Sequence, residues 1–170
     1  MRYIVLAALF LAVASCDASP QQTGQAVLCQ AQNGMPDSKC TIGAVFANVT
    51  AAQVCKPGYA ASVRDVPQSE KQQVYAMYGI SSHYPGEYEV DHEISLELGG
   101  SNDIKNLWPE AALPKPGFHE KDKVEGYLHS QVCSGKMSLS DAQTKIATNW
   151  KQFLSSSASY QISPSLEGKP

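Results

Sequence analysis

The chain of 170 residues has no excess of positive charge: 13 Lys and Arg stand against 16 Asp and Glu, a formal net of −3. Passive coating of nucleic acid relies on a basic domain that neutralises many phosphates, so that class is excluded. An enzyme that needs only a local basic patch and a metal ion is not. No internal repeat is present, which argues against a repeat architecture. No CxxC pair occurs, which counts against a zinc site as the reason for the cysteines. Long apolar runs are also lacking. The run Ile4–Val13 is too short to span a bilayer. The length fits one domain with a modest core.

The informative stretch is Tyr88–Glu110, YEVDHEISLELGGSNDIKNLWPE. Asp91 and His92 precede an apolar run, Gly99 and Gly100 make a turn, and Asn106-Leu107 follow a polar loop. A histidine beside a carboxylate pairs a proton acceptor with a metal ligand. A glycine turn lets a second strand fold back over the first. The Asp-His pair, the Gly-Gly turn and the Asn-Leu resemble the signature of the HNH nucleases of the ββα-metal class. Trp108-Pro109-Glu110, His119 to Asp122, Val132 to Gly135, Val54 to Ala60 and Val63-Arg64 resemble a bacterial secreted subgroup of that family. The resemblance covers roughly residues 50–150 and fades at both ends.

The N-terminus reads as a targeting segment over residues 1–16, with Arg2 as its positive end and the apolar run after it. Val13-Ala14-Ser15-Cys16 resembles a bacterial lipobox, in which Cys16 is lipidated. The alternative is an ordinary signal peptide cleaved near Ala18. The expectation is an exported protein, periplasmic or at the cell surface and lipid-anchored to a membrane. Asp17 resembles an inner-membrane retention signal of Gram-negative lipoproteins. Cys29, Cys40, Cys55 and Cys133 remain, and an even number in an exported chain suggests two disulfides. Three connectivities are open. The sequence-near pairing, Cys29–Cys40 with Cys55–Cys133, is favoured because the first pair flanks a turn-rich loop and the second staples the family-like region.

Residues 17–47 read as a polar tether followed by the Cys29/Cys40 loop. Residues 48–154 are the expected nuclease domain, and 155–170 a Ser-rich disordered tail. Residues 48–55 suggest a short helix capped by Asn48 or Thr50, stopped by Lys56-Pro57-Gly58. Pro67 opens a second helix that Gly79 closes. Tyr88 and Val90 alternate with polar residues as a half-buried strand does. A helix from Phe118 to Cys133 turns Val124, Leu128 and Val132 inward. Ser138 begins a capping box with Asp141, and Ala142, Ile146 and Trp150 face inward from the last helix. The expected fold is α+β: a ββα-metal finger surrounded by several helices and stapled by disulfides.

Phosphodiester cleavage needs a nucleophile, a Lewis acid and a stabilised leaving group. The unperturbed pKa of histidine, about 6.5, suits His92 to take a proton from water. The resemblance implies the same role for His92, makes Asp91 a metal ligand, and makes Asn106 the brace of the loop that orients the base. It places a second ligand on the following helix: His119 first, Asp122 next. Lys121 and Lys123 are expected to contact phosphates as point charges, and Arg64 is a candidate clamp whose plainer reading is a surface ion pair. Asn102 reads as a turn residue and Glu93 as a solvated strand residue, while Ser95 stands where many relatives carry Pro. His83 and His129 read as ordinary satisfied side chains. A mixed Asp/His site suits Mg²⁺ or Mn²⁺, with Ni²⁺, Zn²⁺ or Ca²⁺ as further options. The expected substrate is DNA, with RNA left open as a second candidate, cut with low sequence specificity because nothing resembles a base-reading helix. No feature points to a protein partner. A non-catalytic binding module on the same scaffold is the competing reading.

Overall fold

The computed structural model describes residues 28–162. The expected signal peptide, the lipobox Cys16, residues 17–27 of the tether and residues 163–170 lie outside the described residues. The fold is α+β: helices surround one two-stranded antiparallel sheet, and two disulfides staple the chain.

Strand β1 (Tyr88–His92) pairs with β2 (Leu107–Ala111), with Val90 opposite Pro109, Asp91 opposite Trp108 and His92 opposite Leu107. An isolated pair of strands is marginal in water, so each face must be covered. Opposed residues of an antiparallel pair share a face. One face carries Val90 and Leu107, which pack on Val74 of helix α3 (Gln68–Met77). The other carries Asp91 and Glu110, which meet Lys121 of helix α4 (Phe118–Cys133). The second strand, expected after the glycine turn within residues 88–107, lies at Leu107–Ala111, where Leu107-Trp108-Pro109-Glu110 is buried throughout and shows no alternation to mark it. Pro109 is tolerated because a two-stranded sheet has only edge strands.

The main core lies between α4, helix α5 (Leu139–Asn149) and the loop after β1, and contains Ile94, Leu98, Val124, Leu128, Val132, Ile146 and Trp150. Ser138 caps α5 by accepting the Asp141 N–H at 3.1 Å, as its sequence predicts. Helix α1 (Ala51–Val54) starts at Thr50, and Cys55 directly after it is bonded to Cys133 at the end of α4. Cys29 is bonded to Cys40, so the favoured connectivity is the one present. In the chain-entropy picture the wider loop, spanning 78 residues, contributes about 4.5 kcal/mol.

Helix α1 ends before Lys56-Pro57-Gly58, as expected, and helix α2 (Tyr59–Val63) follows, entered through Gly58 at φ +79°. Residues 28–47, which contain the Cys29/Cys40 loop, are anchored. The Cys29 N–H donates to Met77 O at 2.9 Å, Ile42 N–H to Lys105 O at 2.7 Å and Phe46 N–H to Gly99 O at 3.0 Å, so backbone pairing holds this segment to the body. Residues 155–162 are not a disordered tail but belong to helix α6 (Leu154–Ile162). The small serines allow close approach, their hydroxyls bond back along the helix (Ser157 Oγ to Leu154 O, 2.9 Å), and Tyr160 packs on Tyr127 of α4.

Candidate active site

β1 and β2 are joined by a loop that two glycines shape and one asparagine ties. Gly99 adopts φ +80°. A Cβ on Gly100 would lie 1.7 Å from the Ile94 carbonyl oxygen, so no other residue fits there. Asn106 is fully buried at the far end. Its Oδ1 accepts the Ile94 N–H at 2.9 Å, and its Nδ2 donates to Ile94 O at 2.9 Å and Ser101 O at 2.8 Å. The side chain therefore locks both ends of the loop and does not line the cavity described below. That placement matches a brace rather than a group touching a ligand.

His92 ends β1 and is 2 % exposed. Its Nε2 lies 3.2 Å from Asn102 Oδ1, while Asn102 Nδ2 donates to the Val63 carbonyl at 2.7 Å. The second bond orients the amide, so Oδ1 faces the ring and accepts from Nε2–H. Nδ1 is left as the acceptor. Burial pulls the His92 pKa below its ordinary value, against the raising influence of Asp91. His92 is therefore neutral at neutral pH and able to take a proton. Asn102, expected as a turn residue, is the direct partner of His92.

Asp91 faces the other way. Its Oδ1 accepts the His92 backbone N–H at 2.8 Å and its Oδ2 lies 2.6 Å from Lys121 Nζ. Burial raises its pKa, but the Lys121 ammonium outweighs that and holds Asp91 ionised below the usual range. Lys121 is 1 % exposed. Its ammonium also donates to the His92 carbonyl at 2.8 Å and to Glu125 Oε1 at 2.5 Å, with Glu110 Oε2 at 3.8 Å. Burial alone would discharge this lysine, yet Asp91, Glu125 and Glu110 together hold it charged, far above its ordinary value. One ammonium cannot balance three carboxylates. The excess appears as upward shifts, caused first by burial, of Glu110 to about 9 and Glu125 to about 8. Among the described residues no N–H or O–H donor reaches either Glu110 oxygen. Retaining its own proton, directed at Asp91, satisfies it.

Asp91 and His92 meet at a cavity of about 240 Å³ whose wall also includes Arg64, Ser95, Glu97, Asp122 and Glu125. Asp122, exposed at the cavity wall, is raised by burial and by Asp91. Of the residues expected from sequence, the structure brings together Asp91, His92, Asp122 and Arg64. It does not place His119 there: His119 is exposed, with its ring 4.2 Å from that of Phe118, outside the cavity wall. Lys123 is exposed and also outside it. Lys121 is not a phosphate contact, because its ammonium is buried and committed to carboxylates. Glu93 is not solvated. It is buried just past the end of β1, its Oε2 has no hydrogen-bond partner among the described residues, and burial pushes it up to about 7.

The phase of α4 accounts for these outcomes. Residues are about 100° apart around a helix. Lys121 lies one turn before Val124 and shares its buried face, as does Glu125, whereas His119 lies about 200° from Lys121. Continuing the Val124, Leu128, Val132 stripe backward is the sequence signal that finds Lys121 inward and His119 outward.

Asp91, Asp122 and Glu125 line the cavity with carboxylate oxygens, the donor type that hard divalent cations such as Mg²⁺, Mn²⁺ or Ca²⁺ take. Their ligand atoms do not all lie within 4.8 Å of one another, and the Lys121 ammonium already pairs with Asp91 and Glu125. A separate group, Cys55, His129 and Cys133, has ligand atoms within 4.8 Å of one another, but its two sulfurs are joined in the disulfide. Among the described residues no helix is long and apolar enough to cross a membrane. No protein-family model, curated protein or solved structure matches this chain.

Proposed function

We propose that this chain is an exported, metal-dependent endonuclease of the HNH type that hydrolyses phosphodiester bonds of DNA, with RNA as an open second candidate, and with low sequence specificity. The observation that carries the reading is the meeting of His92, Asp91 and Asp122 at one small polar cavity, with Arg64 at its wall. A neutral imidazole with a free Nδ1 accepts a proton from water. Asp91 and Asp122, with Glu125 beside them, hold the divalent ion, and Arg64 takes the phosphate. The bound ion supplies Lewis-acid stabilisation of charge on the phosphate and the leaving oxygen. Asn102 sets the His92 tautomer, and Asn106 sets the loop that presents both. The pair β1–β2 with α4 against it is the arrangement that the resemblance of residues 50–150 implies. The two disulfides support an oxidising compartment, and anchoring through Cys16 belongs to the same proposal.

A second reading has its own observation. Lys121 already places a cation among Asp91, Glu110 and Glu125, which is what a scaffold that has given up its metal requires. That reading makes the chain a non-catalytic binding module.

Plasmid cleavage separates the two. With Mg²⁺ or Mn²⁺ the oxidised protein is expected to nick DNA and to stop on addition of EDTA. His92→Ala, checked for fold by circular dichroism, is expected to lose about 10²- to 10⁴-fold in rate. Folded protein that leaves plasmid intact with Mg²⁺, Mn²⁺, Ni²⁺, Zn²⁺ and Ca²⁺ would establish the binding-module reading instead.

A further inference from the structure

The Cys55–Cys133 disulfide borders a groove. Cys55 lines a groove of about 540 Å³ whose wall includes Lys56, Tyr59, Arg64, Glu97 and His129. Cys55 is half-buried and Cys133 exposed; from the same groove wall His129 Nε2 reaches to 3.3 Å from Cys133 Sγ and 3.1 Å from the Val54 carbonyl oxygen. A carbonyl only accepts, so Nε2 carries the hydrogen. The N–H is therefore shared between that carbonyl and the Cys133 sulfur. The same fact decides against a metal at this group through Nε2, since a protonated ring nitrogen has no lone pair to give.

We propose that Cys55–Cys133 is a site of thiol–disulfide exchange with a small acidic thiol, attacked at Cys55 and leaving from Cys133. A thiolate RS⁻ enters the groove, drawn by Lys56 and Arg64, and forms a bond to Cys55 Sγ. The Cys55–Cys133 bond breaks, and its electron pair stays on Cys133 Sγ, where the His129 N–H receives it. The products are a mixed disulfide on Cys55 and a thiolate on Cys133. A second RS⁻ then attacks the outer sulfur, releases RSSR and leaves both protein sulfurs reduced, so the thiol is the two-electron donor. Exchange is faster when the leaving thiolate is the better stabilised one, and only the Cys133 side carries the histidine hydrogen bond. The disulfide Cys29–Cys40 is an internal comparison: Cys29 is buried, and neither of its sulfurs has a histidine contact among the described residues. The inference does not depend on the nuclease reading.

The test uses the full oxidised chain and reduced glutathione, with acid quench, maleimide labelling of free thiols and peptide mass mapping. Glutathione is expected on Cys55 and maleimide on Cys133, with Cys29–Cys40 opening at least about tenfold more slowly. His129→Ala is expected to slow exchange by about threefold or more. Lys56→Gln is expected to slow it without moving the adduct. Glutathione on Cys133, equal opening of both disulfides, or no adduct would overturn the proposal. The position of the adduct in the wild-type chain decides the matter even where His129→Ala does not fold.

Discussion

Helix α4 buries two different chemistries along one face. Its first half turns Lys121 and Glu125 inward against Asp91 and Glu110. Its second half turns Leu128 and Val132 into the apolar core and ends at the disulfide of Cys133. Apolar burial is additive and non-directional, about 25 cal/mol per Å² of area, and it tolerates loss of a piece. Charged burial does not. Each ion stays inside only while its partners do, because the desolvation penalty is repaid by specific neighbours. One helix thus carries a half that fails gradually and a half that fails all at once, and the candidate site is built on the second.

The sharpest way to break the charged half is Lys121→Met, which keeps the length and removes the ammonium. Asp91 and Glu125 then lack their counterion, and a loss of about 3–5 kcal/mol is expected in urea unfolding. A loss below about 1 kcal/mol would show that the carboxylates simply take up protons. In the apolar half, Leu128→Ala leaves a cavity and is expected to cost about 3 kcal/mol, with an unchanged pH profile. A pH profile that moved would mean the two halves are coupled.

Glu93 sharpens the contrast with a buried carboxyl that has no cation in contact. Its folded pKa, about 7, lies above its ordinary value of 4.5. Below pH 4.5 both folded and unfolded chains carry the proton, so nothing is lost there. As pH rises from 4.5 to about 7 the unfolded chain releases it first, and stability falls. Glu110 and Glu125 act with the same sign, and Asp91, whose pKa is depressed, acts with the opposite one. Glu93→Gln is expected to flatten the slope in that window and to gain roughly 2 kcal/mol at pH 8. Thermal melts at pH 5 and pH 8 that shift in parallel with the wild type would refute it.

The smallest effect is expected at His119. His119→Ala should leave stability within about 0.5 kcal/mol and Mn²⁺ affinity unchanged. Asp122→Asn should weaken Mn²⁺ binding by about tenfold, a loss typical of a weakened metal site. Calorimetry giving the reverse order would return His119 to the ligand set.

Local elements were legible in the sequence where one face faces water. The alternation of Tyr88 and Val90 with polar residues marks β1, and Ser138 with Asp141 marks the start of α5. Val124, Leu128 and Val132 mark the inner face of α4. Asp91, His92 and Asn106 stood out as a candidate site because, together with Gly99-Gly100, they resemble the HNH signature. The bounds of β2 were hidden because burial on all sides erases alternation. Helix α6 was hidden because a run of serines has weak propensity and gains its order from α4. Glu110 and Asn102 were hidden because a buried carboxyl and a turn amide look the same as exposed ones until their partners are known.

By itself the sequence determined the pairing face of β1, the caps, the inner stripe of α4 and the residues around which a site is expected. Those rest on interactions within a few residues, whose geometry the backbone periods set. Tertiary structure alone decided which charges go inside, which proton His92 keeps and which helix residue reaches the cavity. Lys121 is 30 residues from Asp91, and Asn102 is 39 from Val63. The cost of removing such groups from water is offset only by partners that the fold brings from that distance.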